Sequence, residues 1–306
     1  MEIMDSNYKS GFVAVMGRPN VGKSTLINAL LGQKIAAVSP RPQTTRKRQM
    51  GILTLNEAEH GQNAQMVFVD TPGFHQPVHK LGELMNQEAI DTLEESDAIL
   101  FVVDASAPPH EEDLLLAKQL GGLRRMAPLV LALNKIDEID PIGLEEHRRL
   151  FLEIAPQAQA LEICATQGIN LGALLDALLE RLPLGPPFFP AEQLTDLYER
   201  EIAADLIREA GLKLLRDEVP HGIAIRIDQY KERNEHGAYI EATLFVERES
   251  HKPIVIGAKG AMLKKIGTLA RQEIEAMSGR KVYLRIRVKV RKNWRDDDNV
   301  LRRFGY

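Results

Sequence analysis

Gly17-Arg-Pro-Asn-Val-Gly22-Lys23-Ser24 lies between an apolar run, Phe12–Met16, and a run of helical character, Thr25–Leu31. Gly17 and Gly22 permit backbone angles that a Cβ forbids. The N–H groups of Asn20, Val21, Gly22, Lys23, Ser24 and Thr25 can then converge on phosphate oxygens at a helix N-terminus. Lys23 suits the β- and γ-phosphates of a nucleoside triphosphate, and the Ser24 hydroxyl suits Mg²⁺. The strand–turn–helix setting is the one a phosphate loop requires.

A second group chooses the base. Asn134-Lys135-Ile136-Asp137 follows the apolar run Leu129–Leu133. The Asp137 carboxylate can accept from guanine N1–H and the 2-amino group. Adenine offers neither donor, and a site built to hydrogen-bond a substrate group rejects analogues that lack it. Asn134 is expected to brace the loop and meet N7, and Lys135 to lie over the base plane. Cys164-Ala165-Thr166 follows another apolar run, where GTPases often place Ser-Ala, so the Ala165 N–H is expected on guanine O6.

A third group handles the γ-phosphate. Asp70-Thr-Pro-Gly73 ends the run Met66–Val69. Asp70 is placed to hold Mg²⁺ through water, and the Gly73 N–H to sense the γ-phosphate. Phe74 stands where Ras-like GTPases carry a water-orienting Gln, so intrinsic hydrolysis is expected to be slow and assisted. His75 reads as a solvated loop histidine. Between the first helix and Asp70 runs a basic, proline-bearing loop, Ser39–Arg48, one of whose threonines completes the metal shell; Thr45 is favoured over Thr44.

These groups need a scaffold. Strands are expected at Phe12–Met16, around Met50–Leu55, and at Met66–Asp70, Ala98–Asp104, Leu129–Asn134 and Ala160–Ala165. Helices are expected near Lys23–Leu31, Leu81–Glu95, Glu111–Gly121, Gly143–Ile154 and Leu171–Arg181. The alternation implies an α/β fold, a P-loop GTPase domain with a mainly parallel, doubly wound sheet. Its ligands gather at the C-terminal ends of the strands.

At 306 residues the chain suggests two domains. Leu182–Pro190 is proline-rich and cannot form a regular element. The domains are therefore expected at 1–182 and 191–306, with a linker at 183–190. Residues 191–306 carry 23 Lys and Arg against 19 Asp and Glu, and the rest carries 16 against 24, so the halves face different partners. One cysteine excludes an internal disulfide and fits a reducing cytoplasm. No run approaches the roughly 18 apolar residues of a spanning helix. The first strand pattern starts near Gly11, so no signal or transit peptide is expected. No His/Cys spacing suggests zinc.

The second half reads as a helix over Glu192–Leu215, a strand with alternating Ile223, Ile225 and Ile227, a turn at Lys231–Gly237, and a strand through Ile240–Val246. A Gly257-Ala258-Lys259-Gly260 turn between helices follows, with a last strand at Lys281–Arg291. This order resembles a KH domain of the type II, α+β arrangement. Two glycines let the backbone approach a sugar–phosphate chain closely, and Lys259, Lys264 and Lys265 can neutralise phosphates. On the last strand Tyr283, Arg285, Arg287, Lys289 and Arg291 share a face that carries no acid, as a nucleic-acid surface would. Trp294 suits stacking on a base and packing equally.

With a single KH domain after the GTPase motifs, the chain resembles the Era family of bacterial ribosome-assembly GTPases over nearly its whole length. The motifs that carry the resemblance are Gly17–Ser24, Gln43-Thr-Thr-Arg46, Asp70–Gly73, Asn134–Asp137 and Ile254–Gly260. The resemblance implies binding to the 3′ end of 16S rRNA during maturation of the 30S subunit. It also implies that GTP favours RNA binding and that RNA stimulates hydrolysis. Asn20 stands where related members hold K⁺, which implies K⁺ activation. A cytoplasmic monomer is expected, with peripheral contact at the inner membrane face open. The residues alone also leave room for a GTPase of RNA modification or trafficking whose second half binds protein, and for a binding module with a nearly inactive nucleotide site.

Overall fold

The computed structural model describes residues 7–39, 45–72, 79–234, 237–304 and 306. They divide into two compact units. The first takes the described residues within Met1–Lys34, Thr45–Gln76 and Met85–Asp196, and the second those within Ile35–Thr44, Pro77–Leu84 and Leu197–Tyr306.

The first unit is built on a six-stranded sheet of β1 (Lys9–Met16), β2 (Gln49–Leu55), β3 (Ala64–Asp70), β4 (Ala98–Asp104), β5 (Leu129–Asn134) and β6 (Gln159–Glu162). Their order is β2-β3-β1-β4-β5-β6. Every residue of β3, β4 and β5 is buried, so these strands read as unbroken apolar runs rather than as alternation. All pairings are parallel except β2 with β3. The connection between those two holds only the single turn α2 (Glu57–His60), too short for a parallel crossover. The other connections carry α1 (Lys23–Leu31), α3 (Lys80–Glu95), α4 (Glu111–Gly121), α5 (Pro141–Ile154) and α6 (Leu171–Arg181).

Local chemistry moves some boundaries. Helix α5 begins at Pro141 because Asp140 caps it, accepting from the N–H groups of Ile142 and Gly143. Strand β6 ends at Glu162, short of the expected Ala165, because Cys164 pairs with Ile169 across a tight turn. The stretch 183–190, expected as a linker, is built into the first unit. Gly185 N–H donates to Tyr8 O, Ser10 Oγ donates to Pro186 O, and the N–H groups of Phe188 and Phe189 both donate to Oε1 of the buried Gln65.

The helix expected from Glu192 starts at Glu199. Leu194 O accepts from Ile52 N–H at 2.8 Å, Thr195 lies opposite Gly51, and Asp196 Oδ1 accepts from Met50 N–H at 3.1 Å. Residues 194–196 thus satisfy the outer edge of β2, whose polar groups a helix there would leave unpaired.

The second unit has a three-stranded sheet of β7 (Ala224–Asn234), β8 (Gly237–Val246) and β9 (Lys281–Val290). β7 and β8 are antiparallel, and β8 and β9 parallel. The turn expected at Lys231–Gly237 is shorter: β7 runs on to Asn234 through two register shifts, and residues 235–236 lie outside the described residues. Helices α7 (Glu199–Leu214) and α9 (Ala261–Ser278) cover one sheet face, where Ile202, Leu206, Ile240, Leu244, Ile266 and Ile274 are buried together. The short α8 (His251–Ile256) precedes α9, and α10 (Asp298–Arg303) ends the fold.

Two stretches distant in sequence join this unit through specific bonds. Val38 N–H donates to Oε2 of the buried Glu209 at 3.1 Å. Lys80 donates from its N–H to Asp296 Oδ1 and from Nζ to Asp298 Oδ2. No helix among the described residues is long and apolar enough to cross a membrane.

Trp294 packs in the protein. It is fully buried, its Nε1–H donates to Gly222 O at 2.9 Å, and its ring meets Phe304 edge-on. Trp294→Ala is expected to cost about 3–5 kcal/mol, measured by urea denaturation followed by circular dichroism. A loss below about 1 kcal/mol would show that the ring is not part of the core.

Candidate nucleotide site and nucleic-acid groove

The phosphate loop links β1 to α1, and sterics require both its glycines. Gly17 has φ +152° and Gly22 φ +102°. A Cβ on Gly17 would collide with Val102 O, and one on Gly22 with Asn134 Nδ2. Asn20 also takes a positive φ, 68°, and Val21 is fully buried. Thr25 sits half-buried in the first turn of α1.

Lys23 is almost wholly buried, and its Nζ donates to the carbonyls of Gly17 at 2.8 Å and Arg18 at 3.1 Å. Burial lowers its pKa to about 8 against the pull of Asp70. The ammonium is therefore anchored within the loop by two carbonyls.

Three oxygens from three elements converge beside it. Ser24 Oγ donates to Asp70 Oδ2 at 2.7 Å, Thr45 Oγ1 donates to the same oxygen at 3.0 Å, and the two hydroxyls lie 3.1 Å apart. Asp70 Oδ1 is buried without a partner. Burial pushes the Asp70 carboxyl above the usual range, and Lys23, Ser24 and Thr45 oppose that shift. Two hydroxyls and a carboxylate with one oxygen unsatisfied form a hard-oxygen set that fits Mg²⁺. Of the remaining expected residues here, Thr44, Gly73, Phe74 and His75 lie outside the described residues.

The base loops meet on Asn134. Its Nδ2 donates to Val21 O at 2.8 Å, and its Oδ1 accepts from the Ala165 N–H at 3.0 Å. The Ala165 amide, expected on guanine O6, is thus engaged by Asn134. Asp137 is held from both sides: Cys164 Sγ donates to Oδ1 at 3.0 Å, and Gln167 Nε2 donates to Oδ2 at 3.1 Å. Thr166 Oγ1 lies 3.2 Å from the same sulfur. Each carboxylate oxygen has a second lone pair, so Asp137 can still take two donors from a purine. The Cys164 thiol supplies a donor to Asp137 at the position where GTPases often place serine. Gln167 carries no sequence signal, because only folding brings it to Asp137. Lys135 takes φ +67° and pairs with Asp104.

In the second unit the Gly257–Gly260 turn separates α8 from α9. A Cβ on Gly257 (φ +72°) would lie 2.7 Å from Met262 Cβ, while Gly260 (φ +80°) faces open space. Lys259 takes φ +50° beside Ala258. A groove of about 440 Å³ runs from Gly260 along α9 to β9, lined by Lys264, Gly267, Arg271, Leu284 and Ile286 among others. Its apolar wall, lysine and glycine-opened backbone suit a single nucleic-acid strand. Lys265, exposed one position further round α9, does not line it.

The basic face of β9 does not join this groove. Leu284, Ile286, Val288 and Val290 pack against the core on the helix side, so Arg285, Arg287, Lys289 and Arg291 alternate onto the opposite side. That side also carries acid, contrary to the sequence expectation, because a sheet face belongs to several strands. Parallel pairing sets Glu241 beside Arg285, and Glu241 Oε1 lies 2.6 Å from Arg287. Arg291 pairs with Asp297.

Gly22→Ala is expected to abolish detectable GDP binding in a fluorescent-nucleotide titration while leaving thermal unfolding of the second unit unchanged. Wild-type affinity would show that the loop tolerates the Cβ. In the same assay Cys164→Ser should hold affinity within about twofold, whereas Cys164→Ala should weaken it about fivefold, the worth of one modest hydrogen bond.

Known proteins share this arrangement. Residues 12–135 match the family described as 50S ribosome-binding GTPase, and residues 218–295 match the KH domain. The chain is 44% identical over 300 residues to the GTPase Era of Halothermothrix orenii, covering 98% of this chain and 99% of that one. It is 45% identical over 300 residues to the GTPase Era of Clostridium botulinum strain Loch Maree, covering 98% of each. A crystal structure of Era in complex with MgGDPNP and nucleotides 1506–1542 of 16S ribosomal RNA superposes with a TM-score of 0.91 at 40% identity, covering 98% of this chain and 99% of that one. A single-substitution variant of Aquifex aeolicus Era bound to GDP and AlF4⁻ gives 0.90 at 39% identity, covering 97% and 99%. With the nucleotide loops and the glycine turn in the same chain, over almost its full length, the protein belongs to the Era family of GTPases.

Proposed function

We propose that this protein is a GTP-hydrolysing switch that binds the 3′ end of 16S rRNA and assists maturation of the 30S subunit. The observation that carries the reading is the Ser24–Thr45–Asp70 oxygen set beside Lys23. Ser24, Thr45 and Asp70 would hold Mg²⁺, which when bound neutralises charge developing on the phosphates. Lys23 is the nearby cation for the β- and γ-phosphates, and the Gly73 N–H is assigned to the γ-phosphate. Asp137 reads guanine, Asn134 joins its loop to the phosphate loop, and Lys135 flanks the base.

Water attacks the γ-phosphoryl with little help from side chains, since Phe74 cannot orient it; positioning and charge supply the rate. Asn20 would hold K⁺, which when bound would add a further positive charge. Thr45 reports the γ-phosphate, as switch threonines do, so GTP strengthens RNA binding and hydrolysis releases it.

Gly257, Ala258, Lys259, Gly260 and Lys264 clamp a single strand, and Lys265 adds charge at the approach. Arg285, Arg287, Lys289 and Arg291 meet phosphates of RNA flanking that strand. The same reading places the protein in the cytoplasm as a monomer, with its basic half the part that would meet an anionic membrane face. It draws support from the Era complex with MgGDPNP and a 16S rRNA fragment.

The test is binding of a labelled RNA matching the 3′ end of 16S rRNA, with GDP and with a non-hydrolysable GTP analogue, across a salt series. Binding should be salt-sensitive, stronger with the analogue and lost in Gly257→Asp, which forces a side chain onto Met262. Lys289→Ala should weaken it severalfold and lower the salt slope by about one. Equal affinity in both nucleotide states would remove the switch. No binding in either state would remove the ribosomal role and leave the GTPase.

A further inference from the structure

Strand β4 ends beside β5 with Asp104 opposite Asn134, and the nucleotide chemistry described above gives Asp104 no part. Its surroundings are those of a built anchor. Asp104 Oδ2 accepts from Lys135 Nζ at 2.6 Å and lies 3.7 Å from the Arg18 guanidinium. Asp104 Oδ1 accepts from the Ser106 hydroxyl at 2.6 Å and the Ser106 N–H at 3.1 Å. Three hydrogen bonds and one longer ion pair, from three loops, thus fix one carboxylate in position and rotation. Against the upward push of burial, the bonds from Lys135 and Ser106 hold its carboxyl below the usual range.

Its two cationic partners are anchored in turn. Arg18 is the second residue of the phosphate loop, and its Nε donates to Oδ2 of the fully buried Asp113 at 3.2 Å. Asp113 also accepts from the His110 N–H at the start of α4. Lys135 takes φ +67°, a conformation that side-chain-bearing residues seldom adopt and that surrounding structure must impose. A lysine on such a backbone could direct its long stem many ways, and the ion pair with Asp104 selects one. An interaction of this geometry, part-buried and fixed at both ends, escapes the entropy cost that makes surface ion pairs weak.

We propose that Asp104 is the positioning residue of the guanine subsite: it holds the Lys135 stem in register with the base. This rests on the assignment of the nucleotide site to GTP. Asp104 touches neither phosphate nor base and acts through Lys135.

The test is a double-mutant cycle on the full chain with Asp104→Asn, Lys135→Met and both, reading GDP and GTP-analogue affinities and steady-state hydrolysis. Each single change is expected to weaken GDP and analogue alike by about tenfold, leaving their ratio and kcat within about twofold while KM rises. The double variant should bind no more than about twofold more weakly than either single variant, since both remove one interaction. Effects that multiply to about a hundredfold would show that Asp104 acts independently of Lys135 and overturn the proposal. Wild-type affinity in Asp104→Asn, or a change confined to kcat or to the GDP-to-analogue ratio, would overturn it as well.

If Asp104→Asn does not fold, Ser106→Ala carries the test by removing the shorter of the two bonds to the other carboxylate oxygen and leaving only the Ser106 N–H there. Weaker GDP binding that vanishes in the Lys135→Met background supports the proposal, and unchanged binding overturns it. Failure of the wild-type protein to bind GDP at all would instead overturn the GTP-site assignment.

Discussion

Three loops from three strand ends meet on one buried amide. Asn134 gives its Nδ2 to the phosphate loop at Val21 and takes the Ala165 N–H on its Oδ1. Its volume also forbids a side chain at Gly22. Since the amide sits at 3% exposure, losing either bond would strand a polar group away from water. The spacing between the phosphate subsite and the base subsite is therefore set by a side chain of fixed length rather than by loop packing. Strands β1, β5 and β6 hold the loop origins, and Asn134 holds the loop ends.

The second unit solves a different problem. A strand of nucleic acid must approach the backbone closely, so the unit opens a turn at Gly260 where a Cβ would meet nothing and closes it at Gly257 where a Cβ would meet Met262. One glycine leaves room for a ligand and the other fits the protein to itself. The groove lies on the helix side of β9, and the arginines of β9 lie on the other. One edge strand thus serves an apolar-walled groove on one side and a mixed-charge surface on the other, which follows from the two-residue period of strands.

What could be read in the sequence was local or covalently spaced. The phosphate loop, Asn134–Asp137 and the Gly257–Gly260 turn are short motifs whose chemistry and backbone demands lie within a few residues. The buried strands announced themselves as apolar runs. The Ser24–Thr45–Asp70 grouping was legible because each belongs to a motif of its own. The anchor at Asp104 was not: Arg18, Asp104, Ser106 and Lys135 come together only once β4 pairs with β5. The helix misplaced over 192–198 shows the same limit. Leu194 and Leu197 have helical spacing, but the open edge of β2 claims the backbone of residues 194–196. Likewise the acids facing the β9 arginines come from elsewhere, Glu241 from β8 and Asp297 from the start of α10, which a strand-by-strand reading omits.

The coverage of β2 has a consequence beyond boundary placement. A six-stranded sheet has two rims, and each bare rim is a template for another chain. At one end β6 is only four residues long, too brief to recruit a partner strand. At the other, β2 is seven residues long, apolar at its centre and able to template. Residues 194–196 lie along it, and the same stretch leads directly into α7. The chain segment that leads from the GTPase unit into the KH unit therefore also covers an edge that would otherwise be open to strand pairing. Any event that pulled this segment away would bare the unpaired polar groups of β2, so the integrity of the connection and the cover of the sheet rim depend on the same few bonds.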